Sequence, residues 1–167
     1  MRQKLAIVLL TTSIFSLSSL SMAQERKFKA FRFDGMAGFG FSPNANKNPG
    51  TAISAEPKYS FTDQISLGLR LEVGVIFPVE GISVIPCMEY SKPFENGVRP
   101  FIGIGLGPML KLGNVDENSS FPGIGMCVRA GLEYSHFRVS VENNASSNNL
   151  LYQTLKIGFV LGGGRIQ

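Results

Sequence analysis

From residue 31 onward the chain alternates between apolar and polar side chains with little interruption. In "ISLGLRLEVGVIF", residues 65–77, the odd positions are Ile65, Leu67, Leu69, Leu71, Val73, Val75 and Phe77, and the even ones include Ser66, Gly68, Arg70, Glu72 and Gly74. Successive side chains of a β-strand point to opposite faces, so a period of two writes one greasy and one polar face onto a single strand. Eight such runs are recognisable, at 31–41, 51–61, 65–77, 82–91, 99–112, 123–134, 137–143 and 151–161. No helical period competes with them, and none reaches the roughly 18 consecutive apolar residues of a transmembrane helix. Most are close to the roughly 9–11 residues with which a tilted strand crosses a bilayer.

The connections are "SPNANKNPG", "TDQ", "FPVEG", "KPFENG", "GNVDENSSFP", "SH" and "NNASSNNL". The first, fifth and seventh are long and polar, while the even-numbered ones are mostly short. Long loops on one side and short turns on the other are the habit of outer-membrane barrels, whose termini lie on the turn side. The expected fold is all-β: an eight-stranded antiparallel up-and-down transmembrane β-barrel preceded by a cleaved signal peptide. Arg2 and Lys4, the apolar "LAIVLLTTSIF" and the small-x-small site Ser21-Met22-Ala23 supply that signal peptide, residues 1–23, and leave 24–167 as the barrel domain. With Arg2 and Lys4 set aside, fourteen basic residues face twelve acidic ones. Such a balance gives no reason to expect nucleic acid as a partner.

Fourteen charged residues fall inside the expected strands: Arg32, Asp34, Glu56, Lys58, Arg70, Glu72, Glu89, Arg99, Lys111, Arg129, Glu133, Arg138, Glu142 and Lys156. All take the polar phase of their strand. Period two alone does not separate a membrane barrel from a soluble one, which turns its apolar face inward. Three features favour apolar-out. Tyr59, Tyr90 and Tyr134 fall on the apolar phase at the ends of alternate strands, which puts them at one level as an aromatic girdle on the periplasmic side. The polar phase is rich in glycine, which gives long side chains room in a narrow barrel. Its charges nearly balance, as a buried structural salt-bridge network requires. The lumen is therefore expected to be plugged. Pro57 and Pro86 fall within strands and predict bulges or register irregularities.

"RPFIGIGLG", "GIGMCVRAGLEY", "FRVSVENN" and the terminal "LKIGFVLGGG" together resemble the outer-membrane-protein β-barrel domain family, small eight-stranded barrels similar in architecture to OmpX and the OmpA transmembrane domain. The resemblance covers essentially the whole chain after the signal peptide. It implies an outer-membrane location, a non-enzymatic role in envelope integrity, adhesion or surface interaction, and association with outer-membrane lipid and the barrel assembly machinery. An extracellular partner would be met by loops 42–50, 113–122 and 143–150.

Chemical motifs are few. No G-x-G-x-x-G occurs: after Gly103 and Gly105 the third position is Pro108, and after Gly123 and Gly125 it is Val128. His136 is the single histidine and sits in the "SH" turn, with Arg138 rather than a serine two residues on. No catalytic residue, cofactor or metal ligand set is assigned. Cys87 and Cys127 take the inward phase on strands two apart, about 9–10 Å, so free thiols are expected. Two other readings stay open: a narrow transport pore, and a soluble periplasmic barrel that carries a small apolar ligand.

Overall fold

A computed structural model describes residues 30–42, 49–76, 79–112, 123–147 and 151–163. The expected signal peptide and the loop 113–122 lie outside the described residues, as does most of the loop 42–50. Eight strands run in chain order: β1 Phe31–Phe41, β2 Pro49–Ser60, β3 Ile65–Ile76, β4 Val79–Ser91, β5 Val98–Leu112, β6 Gly123–Tyr134, β7 Phe137–Ser146 and β8 Leu151–Gly162. Each pairs antiparallel with the next, and β8 closes on β1 from Arg32 opposite Gly162 to Phe41 opposite Gln153. Among the described residues no helix is long and apolar enough to cross a membrane.

One end of the barrel carries the turns 61–64, 92–97 and 135–136 together with the start of β1 and the end of β8. These turns are closed by local chemistry. Thr62 Oγ1 accepts from the amide of Ile65 at 2.9 Å, and Phe94 N donates to Val98 O at 2.9 Å around Gly97, whose φ is +82°. The two-residue turn Ser135–His136 places Ser135 at φ +56°, the positive φ that such hairpins demand at a central position.

Several strand ends differ from those read in the sequence by one or two residues, and the start of β4 and the end of β7 each by three. The connection "FPVEG" shrinks to residues 77–78, because Val79 and Glu80 pair with Ile76 and Val75. The loop expected at 143–150 begins inside β7, since Asn143, Asn144 and Ala145 pair with Gln153, Tyr152 and Leu151. Polar composition marks a loop only when no partner strand stands alongside, and β8 stands alongside.

The bulges expected at the prolines do not occur. On the β3 side, pairing stops between Ala55 opposite Leu71 and Lys58 opposite Gly68, then resumes in the same register. On the β5 side it stops between Ser83 opposite Met109 and Cys87 opposite Gly105, again without a shift. The pairs Phe33–Pro57 and Leu69–Pro86 on the opposite sides are intact. An antiparallel residue directs both N–H and C=O to one neighbour, so each proline costs pairing on one side only and the ladder continues past it.

Every strand turns its apolar phase outward. Leu67, Leu71, Val73, Ile104, Leu106, Val128, Leu155 and Ile157 are all exposed, Ile104 to 52%, whereas Arg70 is 0% exposed. A soluble carrier barrel requires the reverse orientation.

Candidate functional site

Among the described residues, polar chemistry concentrates on the inward face, and the barrel walls dictate who meets whom. Of the fourteen strand charges, twelve are buried in the lumen: Arg32, Asp34, Glu56, Lys58, Arg70, Glu72, Glu89, Arg129, Glu133, Arg138, Glu142 and Lys156. Arg99 is different. Near the start of β5 it sits at the turn-side rim, half-buried, with Nη2 3.2 Å from Asp63 Oδ1. Lys111 lies in β5, and its side chain is outside the described residues.

The buried charges form two neutral groups. Nearer the turns, four cations, Arg32, Lys58, Arg129 and Arg138, meet four anions, Asp34, Glu56, Glu89 and Glu133. Glu89 is the hub. It accepts from Lys58 Nζ at 2.8 Å and from both terminal nitrogens of Arg138, and it lies 3.2 Å from Arg129 Nη2. Asp34 gathers Arg32 Nε at 2.7 Å, Lys58 Nζ at 2.7 Å and Arg138 Nη1 at 3.1 Å. Arg32 also reaches Glu133 at 2.6 Å. From β6, Arg129 crosses to Glu56 on β2, four strands away in a ring of eight, with one donated bond of 2.6 Å and a second of 2.5 Å. Bidentate geometry makes this among the strongest pairs a protein offers.

Closer to the barrel's middle, Arg70 and Lys156 meet Glu72 and Glu142. Arg70 on β3 spans the lumen to β7, donating to Glu142 and to Asn144 Oδ1 at 2.7 Å each. Its sequence neighbour Glu72 is farther off, at 3.5 Å. Lys156 Nζ bridges Glu142, at 2.7 Å, and Glu72. Tyr152 OH donates to Glu72 at 2.7 Å, and Ser140 Oγ to Glu142 at 3.1 Å. Toward the loop end an apolar cluster follows, made of Ile85, Cys87, Met109, Cys127 and Tyr152.

Glycines make the packing possible. A Cβ at Gly68 would collide with Glu56 and Lys58, and one at Gly103 would stand 2.8 Å from Arg129 Nε. Phe101 is the aromatic that the alternation hid. It points inward with its ring face 3.4 Å below the Arg138 guanidinium carbon, and Gly131 beside it supplies the space. Tyr152, Asn144 and Ser140 also complete the network without having been singled out. Each shares the phase of a recognised charge two or four residues away, which is the signal that finds them.

Tyr59, Tyr90 and Tyr134 face outward near the turn end, Tyr59 half-buried and the others exposed. Tyr59 stacks edge-on between Phe31 and Phe61, with centroids 5.4 and 5.3 Å away. Phe137 and Phe159 join the same level, 5.1 Å apart. His136 Nδ1 lies 3.0 Å from Val160 O, held in its turn. Both cysteines are free and buried. Among the described residues no three His, Cys, Asp or Glu side chains gather as a metal cluster.

No protein-family model and no curated protein sequence matches the chain. Solved structures do. The N-terminal β-barrel domain of Pseudomonas aeruginosa OprF superposes with a TM-score of 0.58 at 17% identity, covering 83% of this chain and 100% of that one. Neisserial surface protein A matches with a TM-score of 0.58 at 16% identity, over 81% and 97% of the two chains. The outer-membrane enzyme PagL matches with a TM-score of 0.53 at 15% identity, over 77% and 98%. The fold is that of the small eight-stranded outer-membrane barrels.

Proposed function

We propose that the protein is an integral outer-membrane barrel without enzymatic activity, exported by residues 1–23, whose filled lumen is structural and whose loops meet the outside. One observation carries this reading: the wall is inverted, with its apolar side chains exposed and twelve charges buried inside. In water such a surface would be a very large apolar patch, whereas in a bilayer it faces its natural solvent. Its partners are then outer-membrane lipid, the assembly machinery that inserts it, and an extracellular surface met through 42–50, 113–122 and the tip of 143–150. Tyr59, Tyr90 and Tyr134 form its periplasmic girdle.

The test is cell fractionation joined to gel electrophoresis of unboiled and boiled samples. Recovery with the outer membrane and a mobility that changes on boiling support the proposal. Release without detergent, with one mobility throughout, defeats it. PagL, an outer-membrane enzyme, shares the fold, so an assay for turnover of purified outer-membrane lipid belongs beside it. No product is expected, and an activity lost on His136→Ala would overturn the non-enzymatic reading. A transport pore is disfavoured by Arg70 and Arg129, each of which spans the lumen to the opposite wall.

A further inference from the structure

The chain has two cysteines, and the barrel brings both to one place. Cys87 on β4 and Cys127 on β6 are each the cross-strand partner of Gly105, the residue between them on β5. They thus flank a position with no side chain at a single level of the lumen. Cys87 Sγ leans over that gap, 2.5 Å from where a Gly105 Cβ would stand. Cys127 Sγ accepts a hydrogen bond from Arg70 Nη1 at 2.9 Å. A third sulfur approaches from four residues along β5. The Met109 side chain lies over Gly125, the next inward position after Cys127 on β6, with Cγ 2.5 Å from a Cβ built there. All three sulfur residues belong to one packed cluster and are at most 1% exposed.

We propose that Cys87, Cys127 and Met109 form a binding site for a thiophilic d10 cation of the Cu(I), Ag(I) or Hg(II) class. The spacing favours a metal bridge over a disulfide. Cα atoms two strands apart are about 9–10 Å from each other, beyond the roughly 7 Å a disulfide tolerates. Cys87 Sγ, leaning over Gly105 on the strand between them, closes part of that gap. A sulfur–metal–sulfur bridge with bonds of about 2.3 Å spans about 4.6 Å, more than twice the roughly 2.05 Å of an S–S bond. Two thiolates and a thioether are the ligand set that soft ions prefer, whereas zinc takes four ligands. The reaction balances simply: two S–H bonds break, two thiolate–metal bonds and one thioether–metal bond form, two protons leave to solvent, and no oxidation state changes. A divalent ion leaves the site's charge unchanged. A monovalent ion leaves one negative charge, against which the Arg70 guanidinium already lies.

The test uses the purified barrel refolded in detergent with silver(I) nitrate present, because the lumen is packed, then desalted. Metal content is read by mass spectrometry of the element, and coordination by the ultraviolet sulfur-to-metal charge-transfer band. About one silver ion per folded chain is expected. Cys87→Ala and Cys127→Ala should each abolish it, and Met109→Leu should weaken retention about tenfold while the boiling-dependent mobility stays intact. Wild-type stoichiometry and Met109→Leu decide the question even where a cysteine variant does not fold. No bound metal in the folded chain overturns the proposal. So does a stoichiometry near two with one ion kept in each single-cysteine variant, or a mass loss of two hydrogens that marks a disulfide.

Discussion

Arg129 and Glu56 show what a single residue does in this lumen. They meet across the full width of the barrel, side chains at most 4% exposed, so removing one leaves the other without its main counter-charge. Breaking a buried pair costs about 3–5 kcal/mol, whereas replacing both members with apolar side chains is often neutral. Arg129→Met is therefore expected to lower stability in urea–detergent unfolding by about 3–5 kcal/mol, and Arg129→Met with Glu56→Leu to recover most of that loss. A double variant no more stable than the single one contradicts the pairing. Glycine gives a second contrast. A Cβ at Gly131 would run into the Val139 carbonyl oxygen and the Phe101 ring, but one at Gly74 meets only the Ala52 methyl at 4.0 Å. Gly131→Ala should fail to reach the heat-modifiable form, and Gly74→Ala should stay within about 0.5 kcal/mol of the parent. The phase of the twelve buried charges was legible because alternation ties each to its strand. Their partners were not, since Arg129 and Glu56 lie 73 residues apart and only closure of the sheet brings them together. Phe101 and Tyr152 escaped notice because a large aromatic reads as lipid-facing unless its parity is checked.

At the scale of the strand, parity carries almost everything. One residue of slippage would exchange the two faces, yet the registers on either side of Pro57 and Pro86 agree. The prolines interrupt hydrogen bonds without moving the frame, an outcome set by which neighbour each N–H would have faced. The ends of β4 and β7 were less legible. The residues added there, 79–81 and 144–146, are mostly polar, small or glycine and become strand only because a partner is already aligned. The outward phase can be tested on β5. Ile104, 52% exposed in the middle of that strand, should tolerate leucine, whereas Ile104→Arg should cost about 2–4 kcal/mol of folding in lipid vesicles. A penalty near zero in vesicles would place that face in water.

The whole molecule is an inverted protein, and its stability must be sought in unusual places. Inside, two electrically neutral networks and a sulfur-rich apolar cluster replace the usual aliphatic core. Outside, aliphatic side chains cover the wall, and aromatic rings collect at the turn end. A lumen bridged wall to wall should not conduct, so planar bilayers holding the purified barrel are expected to stay electrically silent. Discrete conductance steps altered by Arg70→Ala would revive the pore. Strand number followed from alternation and run length, and the inverted faces from the outward tyrosines, the inward glycines and the balanced charges, but the loops, where an external partner would be met, carry no comparable periodic signal. The chain has no tryptophan, which gives a clean background for the decisive measurement. Trp introduced singly at Ile104, Val128 and Phe94 is placed in vesicles whose acyl chains are brominated near the bilayer centre. Strong quenching at 104 and 128, with weak quenching at 94 in the turn, follows from an apolar wall bathed in lipid. Equal and weak quenching at all three contradicts it.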